Sequence, residues 1–263
     1  MPFAINLAGK RALVTGVSNG IGAAIASTLA QAGCEMAGCG SRPADEPGAR
    51  QFIASVRAHG RAAHYLSVNL ATETGPAEFV EFGAQKLGGL DLVVSNAGRN
   101  IFKGAEQCAE ADWAECLNLD LASHWRLARA AKPHLESAQP GVLIVIGSNH
   151  AWGTIPGCFP YNVAKAGLLG LVQSLAIEWG PRIRSVGIAP GFIDTASNDT
   201  WFNSFPDPAA ERARTEKSHP VGRLGSVGEI GALCAFLASE HGGFICGTTL
   251  LVDGGRSALM QDR

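Results

Sequence analysis

Short apolar runs alternate with amphipathic helical stretches along this chain. Strand pattern falls at Arg11–Thr15, Glu35–Gly40, Ala62–Val68, Leu90–Ser95, Val142–Ile146, Ser185–Ala189 and Thr249–Val252. Helical pattern falls between them, at Gly20–Ala32, Ala49–His59, Thr74–Leu87, Ala111–Leu135, Phe159–Glu178 and Val227–Ala238. Strands that are apolar nearly throughout are buried on both faces, which is the condition of a parallel sheet covered by helices. Right-handed crossovers then make the sheet doubly wound. The expectation is an α/β protein: a single doubly wound Rossmann-type domain over residues 1–263, with a seven-stranded parallel sheet flanked by helices. Ligands in such sheets bind beyond the C-terminal strand ends.

Composition removes several function classes. Basic and acidic side chains nearly balance, 21 against 23, so the basic excess of a nucleic-acid binder is missing. No signal peptide is visible in Met1–Lys10, and the apolar run Val142–Ile146 is far too short to span a membrane. The seven cysteines form no CxxC pair, which reads as reduced, mostly buried thiols of a cytoplasmic protein and excludes a metal cluster. The glycine content is high, 33 residues, without a three-residue period. The reason appears after the first strand, where Gly16-Val17-Ser18-Asn19-Gly20-Ile21-Gly22 opens the first helix. Gly16 permits the tight turn, Gly20 lets backbone approach a pyrophosphate, and Gly22 brings the helix close to the sheet. The helix N-terminus adds free N–H groups and partial positive charge. Strand before and helix after make this a dinucleotide site.

Tyr161 and Lys165 are four residues apart at the start of a helix, so they share a face. A free tyrosine titrates near 10. A neighbouring ammonium favours the phenolate and suits the group to acid–base work. Ser148 ends the fifth strand, thirteen residues earlier. No His and Asp are spaced to activate it as a nucleophile, which argues against hydrolysis.

Thr15–Gly22, Ser95-Asn96-Ala97-Gly98, Ser148 with Tyr161 and Lys165, Pro190-Gly191 and Asp253-Gly254-Gly255 occur in order at successive strand ends. In this the whole chain resembles the short-chain dehydrogenases/reductases. The resemblance implies an NAD(P)-dependent oxidoreductase that moves hydride between a secondary alcohol or lactol and a carbonyl. Tyr161 would be the general acid–base. Lys165 would tune it and hold the nicotinamide ribose, and Ser148 would bind the substrate oxygen. Asn96, Ala97 and Gly98 would support the nicotinamide side, with Pro190, Gly191 and Ile193 nearby. Thr195 would bind the carboxamide or pyrophosphate, or else cap a helix. Family members commonly carry Asp beside the adenine where Asn69 stands. They also place an Asn, holding a proton-relay water, where this chain has Asp120. Asp120 is expected to keep the relay role or to pair with Lys165, while Asn118 points elsewhere.

Cofactor choice turns on the end of the second strand. NAD sites place an acid about 20 residues beyond the glycines. Here Gly40 stands at that place, followed by Ser41 and Arg42. An arginine and a hydroxyl suit a 2′-phosphate that a carboxylate would repel. NADP is therefore favoured, with NAD left open because Asp45 and Glu46 lie close by.

The segment 193–219 is expected to form a substrate lid, with Trp201 either over the substrate or in a subunit contact. Asn100, Asn149, His150 and Trp152 crowd polar groups near Ser148, which suggests a small polar substrate such as a sugar or polyol, contacted by His150. A 3-oxoacyl thioester reductase shares every motif, and Arg99, Lys103, Arg212, Arg214 and Lys217 would suit its carrier. A nucleotide-sensing protein without turnover is the alternative of another class, disfavoured because Tyr161 and Lys165 are both present. The family resemblance also implies a homotetramer (or homodimer). Its interfaces would use the helices Ala111–Leu135 and Phe159–Glu178 and the C-terminal segment, including the tail 256–263.

Overall fold

The computed structural model describes residues 4–259. Its main sheet holds β1 (Arg11–Thr15), β2 (Glu35–Gly40), β3 (Ala63–Ser67), β4 (Leu92–Ser95), β5 (Gly141–Ile146), β6 (Ile183–Pro190) and β9 (Thr249–Val252). The seven strands lie in the order β3-β2-β1-β4-β5-β6-β9. Every pairing is parallel. The helices are α1 (Gly20–Gln31), α2 (Pro47–Ala58), α3 (Gly75–Leu87), α4 (Glu110–Leu117), α5 (Ser123–Ala138), α6 (Tyr161–Trp179), α7 (Ala196–Phe202), α8 (Pro208–Lys217) and α9 (Val227–Ala238). A small parallel pair, β7 (Ile193–Asp194) and β8 (Gly225–Ser226), lies outside the main sheet.

The strand register sends alternate residues to two cores. Ala12, Val14, Met36, Ile144 and Ile188 pack on one face with Ile25, Leu29, Phe52 and Ile230. Leu13, Cys39, Val93, Leu143 and Val145 pack on the other with Phe79, Leu127, Leu135 and Leu168. Phe52, Phe79 and Leu143 are among the largest fully buried side chains, and each such burial contributes about 1.5–3 kcal/mol. This double burial is what the continuous apolar strands required. The chain order steps away on both sides of β1 and β4, so the cleft above their C-terminal ends is the topological switch point.

Three expected elements differ in detail. The helix Ala111–Leu135 is two α-helices joined by one π-helical turn, Asn118–Ala122. Wide turns of this kind insert one residue without breaking the helix and recur at functional sites. The helix expected from Phe159 begins at Tyr161, because Pro160 stands at its N-cap. The segment 193–219 has its own order, a short strand followed by α7 and α8. Part of the expected tail, residues 260–263, lies outside the described residues, as do residues 1–3.

Candidate active site

The β1–α1 loop is stitched to the end of β4 by one hydroxyl that the sequence reading did not single out. Thr15 Oγ1 accepts the backbone N–H of Asn96 at 2.8 Å and of Ala97 at 2.9 Å. The Asn96 side-chain amide donates to the Thr15 carbonyl at 2.9 Å. Asn96 thus helps to shape the glycine loop. Asn69 is exposed, and its Oδ1 accepts the N–H of Ala71 in a local turn. A polar residue that favours such turns was enough to predict neither arrangement.

A dinucleotide fits this end of the sheet. Helix α1 has Asn19 at its N-cap, with no side-chain cap and no acid in its first turn, so its terminal N–H groups are open to an anion. Ser18, Asn19, Gly20 and Ile21 form the approach to it. Thr195 faces this loop, since a Cβ on Gly20 would lie 3.7 Å from its methyl group. Thr195 occupies the N-cap of α7, yet its side chain makes no capping bond and stays available. Gly191 is tied by its N–H to Val252, and Ile193 is buried against β8, which fixes the loop after Pro190.

Gly40 is glycine for a packing reason. A Cβ there would stand 2.7 Å from the Tyr65 hydroxyl and closer still to Ser18 Oγ. The two hydroxyls lie 3.3 Å apart, and Tyr65 donates to the Arg42 carbonyl at 2.9 Å. No acid can occupy this place without moving Ser18 and Tyr65. Ser41 and Arg42 are exposed beside it, and no ion pair to Arg42 occurs among the described residues.

Ser148, Tyr161 and Lys165 meet over the ends of β4 and β5, and all three are buried. Lys165 Nζ lies 5.4 Å from the centre of the Tyr161 ring. The Ser148 hydroxyl is close enough to the Tyr161 hydroxyl to favour its ionised form. Ser148 Oγ also accepts the His150 N–H at 3.2 Å, which leaves its own proton free to donate. Burial pushes the Tyr161 phenol above its ordinary value, while Lys165 and the Ser148 hydrogen bond pull it back and Asp120 pushes it up. Lys165 was expected to lower this group; in the folded protein desolvation outweighs it.

Asp120 adds to that opposition. It is 0% exposed, and its Oδ1 lies 3.5 Å from Lys165 Nζ. The Arg99 backbone N–H donates to the same oxygen at 3.0 Å, and the Cys116 thiol faces Oδ2 at 3.8 Å. Burial raises the Asp120 carboxyl above the usual carboxylate range, with the Lys165 charge opposing. The π turn delivers Asp120 inward, while Asn118 accepts from Arg126 at 3.3 Å. Gly98 makes room for the pair, because a Cβ there would stand 2.5 Å from Asp120 Oδ1 and 3.2 Å from Lys165 Nζ. Behind it, the buried His124 Nδ1 bonds Ser95 Oγ at 2.8 Å, and burial holds His124 well below its usual range.

The polar groups around Ser148 are largely engaged within the protein. Asn149 reaches Ser257 at 3.5 Å, and His150 Nδ1 bonds Thr154 at 3.0 Å. Trp201 joins a lid cluster: it packs on Phe192, Phe202 and Phe205 at centroid distances of 5.4, 5.0 and 4.8 Å. Phe102, absent from the expected site, stands edge-on to Tyr161 at 5.3 Å. Nothing in a lone loop phenylalanine could have signalled this.

A glycine-loop cradle for a dinucleotide, with a buried Ser–Tyr–Lys set at the same strand ends, defines a nicotinamide-dependent oxidoreductase. Residues 16–257 match the family described as enoyl-(acyl carrier protein) reductase. The chain is 32% identical over 252 residues to 3beta-hydroxysteroid dehydrogenase 1 of Eggerthella lenta, covering 95% of this chain and 94% of that one. It is 34% identical to the 3-oxoacyl acyl-carrier-protein reductase of Escherichia coli, covering 95% and 98%. A short-chain dehydrogenase of Burkholderia cenocepacia, solved with NADP, superposes with a TM-score of 0.86 at 32% identity, covering 95% and 99%. The chain belongs to the short-chain dehydrogenase/reductase family and is an NAD(P)-dependent dehydrogenase/reductase.

Proposed function

We propose that the protein transfers hydride between a secondary alcohol or lactol carbon and the corresponding carbonyl of a small molecule, with NADP favoured over NAD. The observation that carries the reaction is the buried set of Ser148, Tyr161 and Lys165 at the strand ends beside the open N-terminus of α1. The dinucleotide, when bound, supplies the hydride donor or acceptor. Gly16–Gly22 cradle its pyrophosphate, and Asn96, Ala97 and Gly98 set the floor of its nicotinamide end. Pro190, Gly191, Ile193 and Thr195 close over it. The preference for NADP rests on the crowded Gly40 and on Ser41 and Arg42 beside it, which suit a phosphate better than a pair of ribose hydroxyls.

Ser148 donates a hydrogen bond to the substrate oxygen. In reduction Tyr161 gives its phenolic proton to that oxygen as negative charge develops; in oxidation it takes the proton back. Lys165 favours the phenolate and holds the ribose. Asp120 is the acceptor from which the proton passes onward, by way of Lys165. The segment 193–219 closes as the lid, with Trp201 as its apolar face.

The acyl-carrier alternative draws support from the oxoacyl reductase relatives. It is disfavoured because four of the five basic side chains meant to serve it are paired, Arg99 with Glu115, Lys103 with Asp112, Arg214 with Glu211, and Arg212 with Asp194, Asp199 and Glu216, leaving Lys217 without an ion pair among the described residues. A cytoplasmic homotetramer or homodimer fits the exposed Trp125, Val163 and Ile177 of α5 and α6 and the exposed Phe244 and Leu251 near the C-terminus. No helix among the described residues is long and apolar enough to cross a membrane. The test is cofactor absorbance with NADP and NAD separately, against secondary alcohols, aldoses, polyols and a β-ketoacyl thioester. Tight cofactor binding with no turnover of any would refute the reading in favour of a sensor.

A further inference from the structure

Tyr65 belongs to the sheet but ends in the cofactor cleft. It lies on β3 opposite Gly38 of β2, and its half-buried ring packs against the buried Phe52 of α2 at 6.3 Å. A Cβ on Gly40 would stand 2.7 Å from its hydroxyl. The phenol therefore reaches the end of β2, where NAD sites carry their acid. There it joins Ser18 of the glycine loop to Arg42 of the turn between β2 and α2. A phenol has one proton to give. Tyr65 gives it to the Arg42 carbonyl at 2.9 Å, so toward Ser18 Oγ, 3.3 Å away, it accepts. Both hydroxyl protons are then used within the protein, and neither is left for a ligand. No other hydrogen bond of Arg42 occurs among the described residues, and its side chain is exposed. The guanidinium is free to swing while its backbone is held at one point. A long side chain loses rotamer freedom when it grips an anion, and the total ordering cost falls when the backbone beneath it is already fixed.

Resting on the NADP reading above, we propose that Tyr65 is a positioning residue for cofactor choice. Its hydroxyl fixes the Arg42 backbone so that the guanidinium meets a 2′-phosphate on the adenosine ribose, and it does so without touching the phosphate. Selectivity for NADP over NAD then depends on a β3 side chain outside both the glycine loop and the turn that faces the ribose. A ribose with a free 2′-hydroxyl offers Arg42 no phosphate, so NAD gains nothing from the Tyr65 bond.

The test is fluorescence titration of the full-length protein with NADPH and with NADH, for wild type, Tyr65→Phe, Arg42→Ala and the double variant. Tyr65→Phe keeps the ring on Phe52 and removes only the hydroxyl. It is expected to weaken NADPH binding about three- to tenfold, the worth of one neutral hydrogen bond, and to change NADH binding by less than about twofold. In the Arg42→Ala background the same exchange is expected to change NADPH binding by less than about twofold, because the residue it acts through is gone. If wild type prefers NADPH, an equal loss for both cofactors in Tyr65→Phe, or no loss, would overturn the assignment and leave the NADP reading intact. An undiminished effect in the Arg42→Ala background would overturn it too, by making Tyr65 a direct contact. A wild type that binds NADH as tightly as NADPH, or more tightly, would refute the NADP reading and the assignment together.

Discussion

Replacing Asp120 by Asn removes one buried charge while keeping shape and an oxygen for the Arg99 N–H. Lys165 Nζ lies 5.4 Å from the Tyr161 ring centre and 3.5 Å from Asp120 Oδ1, so the carboxylate is within about 9 Å of the ring. At an effective dielectric of about 20, a unit negative charge there disfavours the phenolate by roughly 2 kcal/mol, a little over one pH unit. The Lys165 charge alone, being nearer, favours it by about 3 kcal/mol on the same footing. Asp120 therefore cancels more than half of what Lys165 contributes. The sign follows: the Asp120 charge opposes ionisation of Tyr161, so Asp120→Asn eases it. The acid limb of kcat/KM for alcohol oxidation should move about one pH unit toward lower pH. At pH values where the raised Asp120 carboxyl is already protonated, wild type and variant should converge. The assay is the pH–rate profile of oxidation with saturating NADP, with circular dichroism confirming that the variant is folded. A folded variant whose acid limb stays in place, or moves toward higher pH, would refute the argument.

Other outcomes follow from the same geometry. Tyr161→Phe should lower kcat by about a thousandfold or more while NADPH still binds, measured by fluorescence titration against single-turnover rate. Arg42→Ala should weaken NADPH binding about ten- to a hundredfold, the worth of a charge-assisted hydrogen bond, and leave NADH binding nearly unchanged; equal losses for both would refute a 2′-phosphate contact. Gly98→Ala should cost about 1–3 kcal/mol by denaturant titration and reduce turnover more than cofactor affinity, since its Cβ would press on the Asp120–Lys165 pair.

The sheet was legible because burial on both faces leaves a continuous apolar signal. The strands of the sequence reading match the observed ones within about two residues at each end. Tyr161 and Lys165 were legible through helical spacing, and the glycine loop through its position between strand and helix. The π turn was not, because an inserted residue leaves the apolar period of α4 and α5 nearly intact. Asp120 was found by counting from Trp113, but its partners Arg99 and Cys116 come from backbone geometry that no motif encodes. The lid read as irregular because α7 and α8 are short and polar, tied by Arg212 to three carboxylates instead of by an apolar stripe. Phe102 is invisible at the sequence level because its meaning depends on being pinned to Pro160.

The crowding at the end of β2 also limits how the cofactor preference can change during evolution. A lone Gly40→Asp exchange meets Ser18 and Tyr65 before it can meet a ribose. Those two side chains would have to move first, and moving the Tyr65 hydroxyl breaks its hydrogen bond to the Arg42 carbonyl. On the proposed NADP reading, a change of cofactor depends on the order in which substitutions occur as much as on any single contact with the dinucleotide.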